Sequence, residues 1–251
     1  MTTLTIVQLY PDLLGVTGDR GNVDVLATRA RFAGLTPEVT RVGIGDPAPE
    51  HADAIVIGNG PLSAMRTVHA DLLARREWIT AQHSDGTAIL CVGGGAELLS
   101  DGIDLLDDSR LEGLGLIPAR VARTRTRRVG YIVADTPDGR LVGFEDHASE
   151  WTLLPAAPAD ARYGTVVSGR GGVAGGGETL RVEGLYATNV QGPVLPLNPQ
   201  LADALLRRAA ARAGAEYVVA AEHSTLDQHA DLARAAIERH ARNAQFTAIQ
   251  L

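Results

Sequence analysis

Ala88-Ile89-Leu90-Cys91-Val92-Gly93-Gly94-Gly95-Ala96-Glu97-Leu98-Leu99 reads as a buried strand, a tight glycine turn and the start of a helix. A strand-turn-helix of this kind holds its central residue at a sharp bend, beside backbone N–H groups able to stabilise an oxyanion. The central residue here is Gly93, which has no side chain to react. Further on, Ala187-Thr188-Asn189-Val190-Gln191-Gly192-Pro193-Val194-Leu195 carries Gln191 where a hydrolase of matching architecture would carry its histidine base. Two losses in one site point to abandoned hydrolysis.

Outward from this elbow, short β-rich runs alternate with helical patterns, which predicts an α/β fold with a mainly parallel sheet flanked by helices. Strands are expected at about Leu4-Leu9, Glu38-Val42, Ala54-Ile57, Ala88-Val92, Gly130-Val133, Leu141-Phe144, Thr165-Val167, Leu185-Asn189 and Tyr217-Val219. Helices are expected at about Asn22-Ala33, Leu62-Ser84, Ala96-Leu99, Pro199-Ala213 and Leu226-Asn243, the last within a C-terminal helical segment of about 222–245. Ligands of open α/β sheets collect at the carboxyl ends of the strands. There the loop Gly58-Asn59-Gly60, the elbow Gly93-Gly94-Gly95 and Gln191 should converge. Gly169-Arg170-Gly171-Gly172-Val173-Ala174-Gly175-Gly176-Gly177 lacks the strand-helix context of a phosphate loop and is expected to be a mobile hairpin tip.

The chain of 251 residues is 45% hydrophobic, enough for a substantial core in a single domain over 1–251. No apolar stretch approaches the ~18 residues that span a bilayer, and Met1-Thr2-Thr3 runs straight into a strand-like segment, so a cytoplasmic location is expected. One cysteine excludes an internal disulfide and any cysteine-rich metal site, and no metal site is expected. A net charge of −7 argues against a nucleic-acid binder. There is no lysine, which excludes a P-loop of the G-x-x-x-x-G-K-[ST] form and any Schiff-base lysine. ATP, if the pathway spends it, belongs on another polypeptide.

The elbow and the Gln191 segment, with Leu9-Tyr10-Pro11-Asp12-Leu13-Leu14 and Gly18-Asp19-Arg20-Gly21-Asn22, resemble the GatD family. GatD is the small glutamine-amidotransferase subunit of lipid II isoglutaminyl synthase, with a class I amidotransferase domain of the cobyric-acid-synthase type. Gly143-Phe144-Glu145-Asp146-His147 is similar to the family's G-F-E-N-H, and Gly192-Pro193-Val194-Leu195-Pro196-Leu197-Asn198-Pro199 follows its H-G-P-x-L-P-x-N-P. The likeness covers roughly residues 4 to 210 and implies a flavodoxin-like three-layer domain. The family elbow is C-G-G-Y-Q, so its cysteine falls on Gly93, its tyrosine-glutamine pair on Ala96-Glu97, and its histidine on Gln191.

Cys91 is the rival nucleophile, two residues before the elbow position, but an apolar strand should turn its side chain into the core. None of the histidines has a clear claim as a base: His147 belongs to the G-F-E-N-H-like loop, and His51, His69, His83, His223, His229 and His240 read as surface or helix positions. Gln191 can donate and accept hydrogen bonds but cannot act as a general base. Gly58 and Gly60 match the family's oxyanion loop, while Asn59-Gly60-Pro61 departs from its usual G-G-Q. Gly58, Asn59, Gly60, Gly94, Arg127 and Gln191 are therefore the candidate pocket residues. In Arg123-Thr124-Arg125-Thr126-Arg127-Arg128 the alternation suggests a solvated strand edge. Against that, Arg127 lies near the family arginine that holds the glutamine carboxylate. Asp12, Asp19, Arg20 and Asn22 form a polar loop that would cap the next helix or contact a partner.

The resemblance implies a subunit that binds an ATP-dependent Mur-ligase-like partner of the MurT type, as a heterodimer. ATP and Mg belong to that partner, and no cofactor to this chain. The ligase would activate the D-glutamate carboxyl of a peptidoglycan precursor, at the inner membrane surface where the substrate is lipid-linked. With its ammonia source disabled, this subunit would support amination by free ammonia or another amine. Two rival expectations are an active glutamine amidotransferase using Cys91 in a shifted register, and a stand-alone small-ligand-binding protein.

Overall fold

The computed structural model of the chain describes residues 2–243 and 247–250. In order, the elements are β1 (Thr3–Leu9), α1 (Arg20–Phe32), β2 (Thr36–Val42), β3 (Ala54–Ile57), α2 (Leu62–Ala74), α3 (Arg76–Ser84), β4 (Ala88–Val92), α4 (Gly94–Leu99), β5 (Gly102–Asp104), β6 (Arg110–Glu112) and β7 (Ala119–Thr136). Then follow β8 (Gly139–Leu153), β9 (Arg162–Ser168), β10 (Gly177–Val182), β11 (Leu185–Thr188), β12 (Val190–Gln191), α5 (Pro199–Arg212), α6 (Ser224–Asn243) and β13 (Thr247–Gln250).

Strands β3 and β4 are buried at every position, as continuous apolar runs must be when helices cover both faces of a sheet. They sit in a parallel core ordered β11-β4-β3-β1-β2, with Ile55 opposite Ile89 and Cys91 opposite Ala187. On one face, Val7, Ile55, Ile57, Ile89 and Cys91 pack with Met65, Val68 and Leu72 of α2, Ile79 of α3, and Leu98 and Leu99 of α4. On the other, Leu4, Ile6, Val56, Leu90 and Val92 meet Val23, Leu26, Ala27 and Ala30 of α1 and Leu201, Leu205, Leu206 and Ala209 of α5. Both helices carry these residues at three- and four-residue spacing, one stripe each toward the sheet. The expected three-layer α/β architecture is present.

Beyond β11 the sheet turns antiparallel through β10, β9, β7, β8 and β12, and β5 adds a short parallel pairing at the edge of β7. The predicted short strands at Gly130-Val133 and Leu141-Phe144 are the inner parts of a ribbon of 18 and 15 residues, β7 and β8. The expected single helix over Leu62-Ser84 breaks at Arg75, whose guanidinium turns back to Asp71 and to the carbonyls of Gly43 and Asp46. Tyr217-Val219 forms no strand. Tyr217 is instead a buried anchor, its hydroxyl donating to Asp203 at 2.6 Å. His223, expected as a surface or helix position, lies in a short helical turn and is fully buried against Tyr217 and Phe32. Arg29 of α1 is also buried and pairs with Asp203 and Asp227, pinning α1 to α5 and α6. Residues 244–245 of the expected C-terminal helical segment lie outside the described residues.

The glycine-rich stretch 169–177 is not a free hairpin tip. Arg170 and Gly171 N–H groups donate to the Glu145 carboxylate at 2.7 and 2.9 Å, and Gly172 N–H donates to Glu178 at 2.8 Å. Both carboxylates are fully buried, and Val173 is buried beside them. These are the N–H groups a phosphate would have needed, and two internal acids hold them.

Near the first strand, Asp71 accepts hydrogen bonds from Tyr10 Oη and Arg75 Nε, each at 2.6 Å, and from Gly45 N at 2.9 Å. Burial acts to raise the Asp71 carboxyl, but the bonds from Arg75, Tyr10 and Gly45 outweigh it and hold its pKa below the usual carboxylate value. A lowered folded-state pKa adds stability above the unfolded value of about 3.9, and that stability is lost as pH falls through the folded value. Asp71→Asn should therefore cost roughly 2 kcal/mol at pH 7, with the gap to wild type closing below about pH 4. Denaturant melts at several pH values would check this. A gap that is independent of pH would contradict it.

Candidate functional site

The elbow is a sharp bend with glycine at its centre. Gly93 has φ 50° and ψ −117°, a conformation that a side-chain-bearing residue adopts only under strain. Gly93 N–H donates to Thr188 O at 2.8 Å, which ties the elbow to the end of β11. Gly95 N–H donates to Gly58 O at 3.2 Å, and a Cβ on Gly95 would stand 2.6 Å from that oxygen. Glycine is required at 95 because α4 starts in backbone contact with the end of β3.

A cavity of about 610 Å³ opens over this floor. Of the predicted pocket residues, Asn59, Gly60, Gly94, Arg127 and Gln191 line it, together with Gly93; Gly58 lies just behind the wall. The three expected segments thus converge. Asn59 Oδ1 accepts from Gly94 N–H at 2.8 Å, and Asn59 Nδ2 donates to Gln191 Oε1 at 3.1 Å. Gln191 Nε2 donates onward to Asp146 O at 3.0 Å. An unbroken row of hydrogen bonds crosses the floor where a nucleophile-base pair would stand. Asn59 is itself held through its backbone, donating to Asp19 Oδ2 at 3.0 Å. Asp19 is fully buried, and burial pushes its carboxyl up despite the bonds from Asn59 and Thr17. It makes no side-chain cap on α1, so the expected capping role gives way to bracing the 58–60 loop. Asn22 likewise accepts from Leu195 N at 2.9 Å instead of capping, while Asp12 is exposed and pairs with Arg41.

The arginine run is not a solvated edge. A register shift between Arg123 and Arg128 breaks the alternation, and β13 pairs with 126–129. Arg123 pairs with the buried Glu97 at 2.7 Å, Arg127 grips Asp146 through two hydrogen bonds of 2.5 and 2.9 Å, and Arg128 pairs with Glu150 at 2.9 Å. Only Arg125 of the four is exposed. Burial pushes the Glu97 carboxyl up, against lowering contributions from Arg123, Ser149 and His147. Asn189, which the sequence did not single out, lies on the cavity wall, fully buried, with neither amide atom hydrogen-bonded within the chain. Asp146 and the Arg66–Asp107 pair complete the charged lining. His147 is also on the wall, its ring bonded to Ser149 O and Glu145. Among the described residues no cluster of His, Cys, Asp and Glu could hold a metal.

Cys91 is sealed in the core between β3 and β11, its Sγ 3.3 Å from Tyr186 O. Burial alone pushes its thiol far up, so no thiolate forms near neutral pH.

An elbow at the carboxyl end of a parallel sheet, facing a segment at the base position, defines the chain as an amidotransferase-type domain. It belongs to the CobB/CobQ-like glutamine amidotransferase domain family, which matches residues 5–193. Within that class it is similar to the GatD subunit of lipid II isoglutaminyl synthase (glutamine-hydrolyzing), as the motifs suggested. Identity is 25% with the Staphylococcus aureus (strain N315) subunit, covering 92% of this chain and 93% of that protein. With the Streptococcus pneumoniae (strain ATCC BAA-255 / R6) subunit it is 28%, covering 82% and 80%. The fold is shared with a chain of PurLQS from Thermotoga maritima, with a TM-score of 0.57 at 10% identity, covering 83% of this chain and 97% of that one.

If Cys91 is a core residue, a thiol reagent should label the folded protein at least about 10²-fold more slowly than the denatured chain, at a rate set by opening of the core. Rapid labelling of folded protein, with one thiol per chain reacting, would show instead that Cys91 reaches solvent.

Proposed function

We propose that this chain is a non-hydrolytic, GatD-like subunit of a Mur-ligase-type complex. The observation that carries the reading is the floor of the cavity: Gly93 at the nucleophile position, Gln191 at the base position, and Asn59 bridging the two. Amide hydrolysis needs a nucleophile with a base in reach, and the two matched positions hold a glycine and a glutamine, which can serve as neither. The scaffold around the site is nonetheless complete, including the elbow, the three converging segments and an open cavity. A scaffold kept without its chemistry is useful for its surface and its pocket.

The partner would be a MurT-like, ATP-dependent ligase, holding ATP and Mg and forming a heterodimer with this chain. It would activate the D-glutamate carboxyl of a lipid-linked peptidoglycan precursor at the cytoplasmic face of the membrane. No described helix of this chain is long and apolar enough to cross a membrane. The acceptor would be free ammonia or another amine, joined at the same carboxyl, with this subunit stabilising the ligase or shaping the amine's entry. The rival amidotransferase reading through Cys91 would require a thiol that the core encloses.

The expected outcome is that the chain co-purifies with the ligase, and that the pair modifies a muropeptide acceptor with ATP and ammonium, glycine or a diamino acid while glutamine is not consumed. Mass analysis of the product, with glutamate release followed in parallel, checks this. Product formation with glutamine alone, or full ligase activity without this subunit, would defeat it. Small-ligand binding with no ligase association would favour the stand-alone binding protein.

A further inference from the structure

The Asn59 side chain does more than sit near the elbow. A Cβ built on Gly93 would lie 2.3 Å from Asn59 Oδ1, 2.6 Å from its Cγ and 3.1 Å from its Cβ. The Asn59 carboxamide therefore occupies the volume in which a side chain at 93 would begin. Its orientation is specific as well. The carbonyl oxygen accepts from Gly94 N–H at 2.8 Å, within the 2.7–3.1 Å range at which backbone donors stabilise a carbonyl or oxyanion. The NH2 group points the other way, donating to Gln191 Oε1 at 3.1 Å. A primary carboxamide presented for attack at an elbow would be held in the same sense, with its oxygen on the backbone donor and its nitrogen toward the base position.

We infer that Asn59 is an internal pseudosubstrate, a carboxamide of the chain's own that fills the niche where an external primary carboxamide would bind. Residues 59, 93 and 191 then form one coupled unit. Glycine at 93 makes room for the amide, and the glutamine at 191 accepts from its NH2 and passes the chain of bonds to Asp146 O. The contact is braced from behind, because Asn59 N–H donates to the buried Asp19 and Asn59 O accepts from Val16 N–H at 3.3 Å. Those two bonds belong to the backbone and survive side-chain removal. Emptying the niche should therefore leave the loop in place. The ligand class it would then take is a primary carboxamide, bound without covalent attack, since Gly93 supplies no nucleophile.

This inference rests on the reading of the elbow as chemically disarmed, but its test does not depend on a ligase partner. The full chain and its Asn59→Gly variant are titrated with propionamide and with L-glutamine, with binding followed by ligand-observed NMR and calorimetry. Asn59→Gly should bind at least about tenfold more tightly than wild type, the effect of freeing one or two hydrogen-bonding groups. Equal binding by the two proteins, or none by a variant that melts like wild type, would overturn the proposal. Should Asn59→Gly not fold, Asn59→Ala vacates the same atoms and carries the same outcomes. A second measurement tests the coupling in a Cys91→Ala background. Gly93→Cys should melt lower with Asn59 in place than with Asn59→Gly, and its thiol should be labelled at least about tenfold faster once Asn59 is removed. The proposal fails if melting temperature and labelling rate are the same in both backgrounds. A chain that gains carboxamide binding yet joins no ligase keeps this inference and loses the functional one; ligase association with no gain of carboxamide binding does the reverse.

Discussion

The segments that follow β1, β3 and β4 meet backbone to backbone, and the site depends on that approach. Added Cβ atoms at Gly58, Gly60, Gly94 and Gly95 would each come within 2.8 Å of a main-chain oxygen, those of Leu14, Leu13, Gly60 and Gly58 in turn. No larger residue fits at these four positions without moving main chain. The approach lets α4 begin one residue after the strand, holds Gly93 at its unusual φ and ψ, and aims Gly94 N–H at the cavity. It also brings residues 59 and 191, more than 130 positions apart, into hydrogen-bond contact.

With the bend kept and the side chain at 93 gone, a void would remain at the sharpest point of the structure. Gly94 N–H, aimed into that space, would also lack an acceptor within the chain. The Asn59 carboxamide meets both needs, filling the volume and accepting the hydrogen bond. Its NH2 then needs an acceptor, which Gln191 Oε1 provides. Residues 93 and 191 are thus physically linked through a third residue.

What the sequence disclosed and what it hid divide along the range of the interactions. The elbow, the parallel core and the burial of Cys91 were legible because apolar runs and glycine turns are local patterns. The length of the β7–β8 ribbon is hidden in the sequence because its residues vary between core, cavity and solvent, and a register shift breaks the period-two pattern inside the arginine run. The role of the glycine-rich stretch is not legible locally because two of its N–H groups serve Glu145, a carboxylate that β8 places there from some 25 residues earlier. The break at Arg75 depends on carbonyls about thirty residues earlier. Among the candidate pocket residues, composition could single out Asn59 as a departure but not show what it touches. Asn189 gave no local signal at all, since an asparagine after a strand is ordinary until its burial is seen.

The charges around the cavity explain why an all-arginine chain has not made an anion site there. Arg66 faces Asp107 at 3.7 Å, Arg123 faces Glu97 at 2.7 Å, and Arg127 grips Asp146. Each lining cation is matched by a lining anion, so apart from His147 the wall carries no formal excess. A phosphate entering this space would have to compete with carboxylates already in place on each guanidinium, and would leave those carboxylates poorly matched. A neutral or zwitterionic group faces no such penalty, and the unbonded amide of Asn189 offers it a donor and an acceptor side by side. The lining therefore selects against nucleotide phosphates on electrostatic grounds, and that agrees with the absence of a lysine-bearing phosphate loop in the sequence. On the function proposed above, carboxyl activation by ATP would fall to the partner and not to this cavity.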